Sequence, residues 1–440
     1  MSAKDQQLEQ KSSPQIYSAE LKRAVFAAAI GNAIEWFDYA SYGYLATIIA
    51  TVFFAPGDKT AALLGTFAVF AISFIIRPFG GLFWGHYGDK LGRKNVLILE
   101  VGIMSLATFA IGLIPGYAQI GSVAVVLLLI CRIVQGFSAA GEYAGASSFI
   151  AEYAPPSKRG LLVSLVPAST AFGLMTGALV AALLEFNLSP EALLSWGWRV
   201  PFLLALPFGS IVLFMRLKLE DTPVYREMEE KAKQSQQSVE AGSFKEVMKY
   251  KKQILRAFGV VLLNAVGFYI ILSYMPTYLT EELNFGKVEG TLVTLVTLTT
   301  YTIFLPMVGS LADRVGRKPL LISVCIIFVI VTYPTFILLS QGGFYSVLAL
   351  ILLGAILAGN DGVLATFLAE TFPTEVRYTS FALSFNFGNA IFGGTAPFVA
   401  TYLIAQTGNM YAPAFYLMAA SVVCFIALLG TKETAHKALK

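Results

Sequence analysis

Twelve separate runs, each of roughly twenty or more mostly apolar residues, cover most of this 440-residue chain. A run of that length matches the hydrocarbon thickness of a bilayer. A backbone surrounded by lipid must satisfy its hydrogen bonds internally, which leaves helices as the simplest solution. The runs fall at 24–54, 62–84, 95–115, 120–151, 161–185 and 197–217, then at 254–280, 290–311, 319–340, 345–369, 379–406 and 410–430. Composition agrees. The chain is 56% hydrophobic and 13% charged, where an average soluble domain is about 45–50% apolar and about 25% charged. The fold class expected is all-α integral membrane, with twelve transmembrane helices in two six-helix bundles.

The chain divides into a polar N-terminal tail (1–23), a first bundle (24–217), a linker (218–253), a second bundle (254–430) and a short tail (431–440). The N-terminal tail carries no cleavable signal pattern. The linker is rich in Lys, Glu, Gln and Ser, most strongly from Glu227 to Glu240. Of the 31 lysines and arginines, only Lys59 and Lys287 fall in loops on one side, while Arg77, Arg132 and Arg199 lie in or beside spans. The rest collect on the side that holds both termini. The positive-inside rule makes that side the cytoplasm, and the expected location is the cell (inner) membrane.

Chemistry other than transport has little to work with. Cys131, Cys325 and Cys424 stand singly within apolar runs, with no pairing or metal-ligand spacing. His86 and His436 are the two histidines. No metal, cofactor or nucleic-acid partner is expected, and no nucleophile–base pair or phosphate loop marks an enzyme. The expected partners are a small-molecule substrate, protons and the lipid bilayer, with the chain acting as a monomer. A receptor that binds without transporting remains a distant alternative.

The halves share an internal repeat. Gly85, Asp89, Gly92, Arg93 and Lys94 follow the second run, and Gly309, Asp313, Gly316, Arg317 and Lys318 recur in register after the eighth. Phe149-Ile150-Ala151-Glu152 with Pro155 and Arg159 recurs as Phe367-Leu368-Ala369-Glu370 with Pro373 and Arg377. Repeated loops that merely hold positive charge inside explain the cations, but not the Asp and Gly. These residues resemble the loop signature of the major facilitator superfamily. That resemblance implies two pseudo-symmetric bundles around a midplane cavity and alternating access. Asp89, Arg93, Glu152, Arg159, Asp313, Arg317, Glu370 and Arg377, together with Arg77, are expected to latch the outward-facing state. The aspartates would accept hydrogen bonds from a neighbouring helix N-terminus or an arginine.

A finer resemblance lies in the first, second and fourth runs. Gly31-Asn32-Ala33-Ile34-Glu35-Trp36-Phe37-Asp38-Tyr39, Arg77-Pro78-Phe79-Gly80-Gly81 and Gln135-Gly136-Phe137-Ser138-Ala139-Ala140-Gly141-Glu142-Tyr143 are similar to the metabolite:proton symporter family. The branch most alike is that of the proline/glycine-betaine osmoprotectant symporters, which Leu219-Glu220-Asp221-Thr222-Pro223 also resembles. Some of those carry a long C-terminal coiled coil. This sequence stops at Lys440, so osmotic regulation by such an extension is not expected. Asp361 also departs from that branch.

An ionisable residue within a span is expensive and usually marks a pathway. Asn32, Glu35, Asp38, Tyr39 and Tyr42 share one helical face, and Arg132, Gln135, Ala139, Glu142 and Tyr143 share another. At 1.5 Å rise per residue, Asp38 and Arg132 both fall near the midplane, so an Asp–Arg pair between the first and fourth helices is expected. In the proton-coupling set Asp38, Arg132, Glu35 and Glu142, Asp38 is ionised beside the arginine and binds a proton when the arginine moves away. Glu142 is read as a second carrier or a gate partner of Arg77, and Glu100 as a boundary residue that snorkels. The expected substrate contacts are Trp36, Tyr39, Tyr42, Gln135, Tyr143, Asn264, Phe268, Asp361, Asn386 and Asn389. Aromatic faces attract quaternary ammonium groups and an arginine holds a carboxylate, which together suit a zwitterion such as betaine or proline. A carboxylate substrate (ketoglutarate, citrate, shikimate or an aromatic acid) anchored on Arg132 is the alternative.

Overall fold

The structure, a computed structural model, describes residues 14–57, 59–218 and 244–439. Glu227 to Glu240 of the expected linker, the Leu219 to Pro223 segment and residues 1–13 of the expected tail lie outside the described residues. The described residues form helices throughout, and no strand occurs among them. Eleven helices are long and apolar enough to cross a membrane: α2 (Ala68–Leu91), α3 (Arg93–Leu113), α4 (Val123–Tyr153), α5 (Arg159–Asn187), α6 (Pro190–Leu217), α7 (Lys251–Thr280), α8 (Thr294–Val315), α9 (Arg317–Leu339), α10 (Gly343–Thr371), α11 (Arg377–Thr407) and α12 (Ala412–Leu429). Before them runs α1 (Pro14–Tyr44), which carries Lys22, Arg23, Glu35 and Asp38 and continues almost without a break as Ala46–Phe53. Its charges keep it from meeting a purely apolar criterion, and with it the spans number twelve.

The repeated signature is less of a loop than the sequence implies. Its first half is helical and forms the last turns of α2 and α8. Only Gly92 (φ 95°) and Gly316 (φ 106°) interrupt the path into α3 and α9. Both lie in the left-handed region that residues with a Cβ rarely adopt, which is why the chain reverses there within one residue.

Within the first half α5 packs along α1, and α3 packs against α6 and α4. In the second half α8 and α9 pack against α10, and α12 against α7 and α9. The halves meet along two equivalent seams, α2 with α11 and α5 with α8, and α4 also touches α10 and α11. The first glycine of each signature sits on a seam. A Cβ on Gly85 would stand 2.6 Å from Thr379 Cα, and one on Gly309 would stand 2.5 Å from the Gly160 carbonyl oxygen. α7 widens to π-helical turns at Tyr269–Tyr274, and α11 does so at Asn389–Gly393. Phe26, Leu106, Phe172, Phe214, Ile330 and Phe398 are exposed around the outside, as lipid requires.

Candidate functional site: a charged midplane layer and a double clasp

One face of α1 gathers a layer of buried charge. Glu35 pairs with Arg77 of α2 at 3.0 Å. The Arg77 guanidinium lies over the rings of Tyr39 (4.6 Å) and Phe74 (4.9 Å), and Arg132 of α4 lies over Tyr42 (4.3 Å) and Tyr39 (5.0 Å). Tyr42 is held by donating to the Thr66 carbonyl at 3.1 Å. Trp36 meets Phe268 at 5.3 Å and Phe74 meets Tyr269 at 5.8 Å, so the aromatic layer spans both halves. Trp36 Nε1, Glu35 Oε2 and Asp38 Oδ1 are buried with no hydrogen-bond partner. An unpartnered polar atom in such a place is costly unless a ligand or water meets it.

The expected direct pair between Asp38 and Arg132 does not form. Asp38 Oδ2 accepts from the Thr108 hydroxyl at 2.8 Å, and Thr108 Oγ1 accepts from Gln135 Nε2 at 2.6 Å. Arg132 donates to Gln135 Oε1 at 3.0 Å and to the Ser73 hydroxyl at 3.2 Å. Acid and base are thus joined through a hydroxyl and an amide, because α3 inserts Thr108 between α1 and α4. Thr108 and Ser73 escape a sequence reading that follows formal charge alone.

Three further expectations need correcting. Arg77 belongs to the midplane layer with Glu35 and takes no part in the end latch. Glu142 pairs with neither Arg77 nor a latch residue. It makes a two-pronged pair with Arg216, whose Nη1 lies 2.9 Å from Glu142 Oε2. Arg216 reads in the sequence as a cation beside the linker, yet it is 2% exposed. Glu100 is 1% exposed and does not snorkel.

The second-half residues divide. Asp361 accepts from the Tyr301 hydroxyl at 2.6 Å and from Asn360 Nδ2 at 2.8 Å, and among the described residues no cation lies within ion-pair distance of it. Asn264 is buried, and its Oδ1 has no partner. Asn386 donates across the halves to the Ala140 carbonyl at 2.7 Å, and Asn389 donates to Phe385 of its own helix at 3.0 Å. Tyr143 stacks flat on Phe385 at 4.4 Å, again across the halves.

At the cation-rich end the repeat becomes a double clasp. Asp89 accepts from the backbone N–H of Tyr378 (3.1 Å) and Thr379 (3.0 Å), the first turn of α11. Asp313 accepts from the N–H of Gly160 (2.8 Å) and Leu161 (2.9 Å), the first turn of α5. Each carboxylate thus meets the positive end of a helix in the opposite half. Arg93 joins Asp89 and Glu152, and Arg317 joins Asp313 and Glu370. The glutamates cross over. Glu152 takes Arg377 at 2.6 Å and Glu370 takes Arg159 at 2.9 Å. The side chains of all eight are buried. The last residues brace one clasp. Arg159 donates to the Lys437 carbonyl at 3.1 Å, and Glu433 accepts from the N–H of Arg317 (3.1 Å) and Lys318 (2.9 Å). Partial burial pushes the Glu433 carboxyl upward, but donors from Ala435, Arg317, Lys318 and Thr434 outweigh it and hold the group below the usual range.

Twelve membrane helices in two halves, a charged layer between them and crossed clasps at one end define a secondary transporter of alternating access. The chain belongs to the sugar (and other) transporter family, which matches residues 24–254 and 225–440. It is 40% identical over 431 residues to the glycine betaine/proline/ectoine/pipecolic acid transporter OusA of Dickeya dadantii, covering 97% of this chain and 86% of that one. It is 39% identical, with the same coverage, to the proline/betaine transporter of Escherichia coli K12. Among solved structures, the major facilitator proton:xylose symporter XylE bound to 6-bromo-6-deoxy-D-glucose aligns with a TM-score of 0.77 at 19% identity, over 96% of this chain and 98% of that one. Against the inward-open conformation of XylE from E. coli the TM-score is 0.65 at 19% identity, over 95% and 98% of the two chains.

Proposed function

We propose that this transporter is a proton-coupled symporter that imports a small zwitterionic osmolyte, such as glycine betaine or proline, across the cell (inner) membrane. Both termini and the clasped end face the cytoplasm on this reading, the unit is a monomer, and 24–217 and 254–430 rock as two bundles. One observation carries the substrate class. The aromatic face of α1 holds two guanidinium groups, two carboxylates and the unpartnered polar atoms of Glu35, Trp36 and Asp38, in a chain that is 40% identical to a transporter named for glycine betaine and proline. A quaternary or secondary ammonium gains about 0.5–2 kcal/mol per desolvated aromatic face. Arg132 has no carboxylate within ion-pair distance among the described residues, so its guanidinium is the one open to a substrate carboxylate.

Coupling follows from the bridge. A substrate carboxylate on Arg132 competes with Gln135 for the guanidinium. Turning Gln135 frees Thr108, and that changes what Asp38 accepts. Asp38 Oδ1 is the atom that takes the proton, and neutralising it permits the halves to exchange sides with substrate aboard.

The test is uptake in proteoliposomes under an imposed pH gradient, with counterflow of labelled betaine, proline, ketoglutarate and shikimate. Accumulation of betaine or proline supports the reading. Accumulation of ketoglutarate or shikimate alone makes the chain a carboxylate symporter, and binding without flux makes it a receptor. Asp38→Asn should lose uphill accumulation and keep exchange. If that variant still concentrates substrate, Asp38 is not the coupling acid.

A further inference from the structure

Glu100 of α3 is a buried acid that the scheme above does not use. Its carboxylate oxygens lie 3.2 and 3.0 Å from the hydroxyl of Tyr378, which belongs to α11 in the opposite half. The same hydroxyl lies 2.9 Å from the Gly141 carbonyl of α4. Three glycines make the room. A Cβ on Gly141 would strike the Glu100 carboxylate, one on Gly145 would strike the Tyr378 hydroxyl, and one on Gly31 would strike Arg216.

The charges around this spot do not balance. Glu142 and Arg216 are committed to each other, and Arg216 also donates to the Leu97 carbonyl at 2.6 Å. Glu35 of α1, within electrostatic reach, is committed to Arg77. Asp89 of α2 holds the Tyr378 backbone from the clasp side. Glu100 is therefore the carboxyl without a cation, in a place closed to water. The phenol also has one hydrogen for two groups of acceptors. When it donates to Gly141, its contact with Glu100 becomes a hydrogen bond only if the carboxyl carries a proton and donates to the phenol oxygen.

We propose that Glu100 is a proton-binding site gated by Tyr378: the proton is held while α11 is docked, and is given up to water when the clasped end parts. The role in transport rests on the proton-coupled reading above. The binding site itself does not. Docking shuts the carboxyl away in its neutral form. Withdrawal of Tyr378 admits water, which favours the ionised form. By linkage, the sealed state binds the proton more tightly, so lowering the pH favours sealing.

The test uses the full chain in lipid nanodiscs without substrate. Spin labels at the exposed positions Leu91 and Glu375 report the sealed-to-open ratio, with Cys131 replaced and the buried Cys325 and Cys424 left in place. The wild-type ratio should rise as pH falls, by up to about tenfold per pH unit for one linked proton. Glu100→Gln should be sealed at every pH and lose that slope, whereas Glu100→Asp should keep it. The proposal is overturned if Glu100→Gln keeps the wild-type slope, if the wild type has none, or if Asp38→Asn alone abolishes it. Substrate-driven proton uptake by the wild-type protein is measured separately. Its absence would sink the symport reading and leave the slope untouched.

Discussion

Gly85→Ala adds a single methyl group at the crossing of α2 and α11. That methyl would stand 2.6 Å from Thr379 Cα, 3.0 Å from its Oγ1 and 3.1 Å from its N. Ordinary carbon contacts lie at about 3.5–4.0 Å, so the crossing must open by roughly 1 Å. The obstacle is backbone, which has no rotamer to escape into. It is also the turn whose N–H groups reach Asp89 at 3.1 and 3.0 Å, so the same displacement takes both bonds beyond about 3.2 Å. Overpacking of this kind costs about 1–3 kcal/mol. On the alternating-access reading proposed above, the crossing comes apart when the clasped end opens, so the cost falls on the sealed state. The sealed-to-open ratio should therefore fall roughly 5- to 150-fold. Helix propensity works the other way, since Ala for Gly favours a helix by about 1 kcal/mol. Yield and thermal stability should accordingly hold while the equilibrium moves. The Leu91–Glu375 spin-label distance reads the shift directly, as growth of the longer population. A distance distribution identical to wild type would show that the glycine is not what permits the close approach.

Other expectations follow from the same contacts. Arg216→Ala strands a buried carboxylate, and the loss of about 3–5 kcal/mol should appear as lower thermal stability, largely recovered in Arg216→Ala with Glu142→Gln. Arg377→Ala and Arg159→Ala each remove one crossed pair, and spin-label distances should show comparable weakening of sealing in the two variants. Glu433 is held below the usual carboxylate range, so its contribution to docking of the tail is present above the ordinary carboxyl pKa of about 4.3 and fades as pH falls below it. Proteolysis after residue 430 should quicken in acid, and Glu433→Gln should be equally susceptible at neutral pH.

Much of this architecture was legible because lipid simplifies the code. Span length reports thickness, and cation placement separates the two sides. The aspartates of the repeat were readable as acceptors for helix ends, and Asp89 and Asp313 each accept from the first turn of a helix in the opposite half. What escaped was lateral geometry. Depth along a helix follows from residue count, so Asp38 and Arg132 were placed at one level. Nothing in either segment says that Thr108 of another helix stands between them. Arg216 closes an apolar run with nothing local to mark it as buried, and its partner Glu142 is distant in sequence. Glu100 lies close to Lys94 along the chain, but the rise of six residues carries it about 9 Å deeper. The crossed pairing of the clasps depends on which helices meet at the seams, and local sequence does not record that.

The link between Asp38 and Arg132 has one further consequence. A hydroxyl can pass a proton along, but the side-chain amide of Gln135 cannot do so without forming an unstable tautomer. The chain of contacts is therefore an insulator for hydrogen ions and a lever for orientation. The arginine can signal to the acid without ever exchanging a proton with it. Solvent deuterium should therefore slow any proton step at Asp38 without revealing a relay that reaches Arg132.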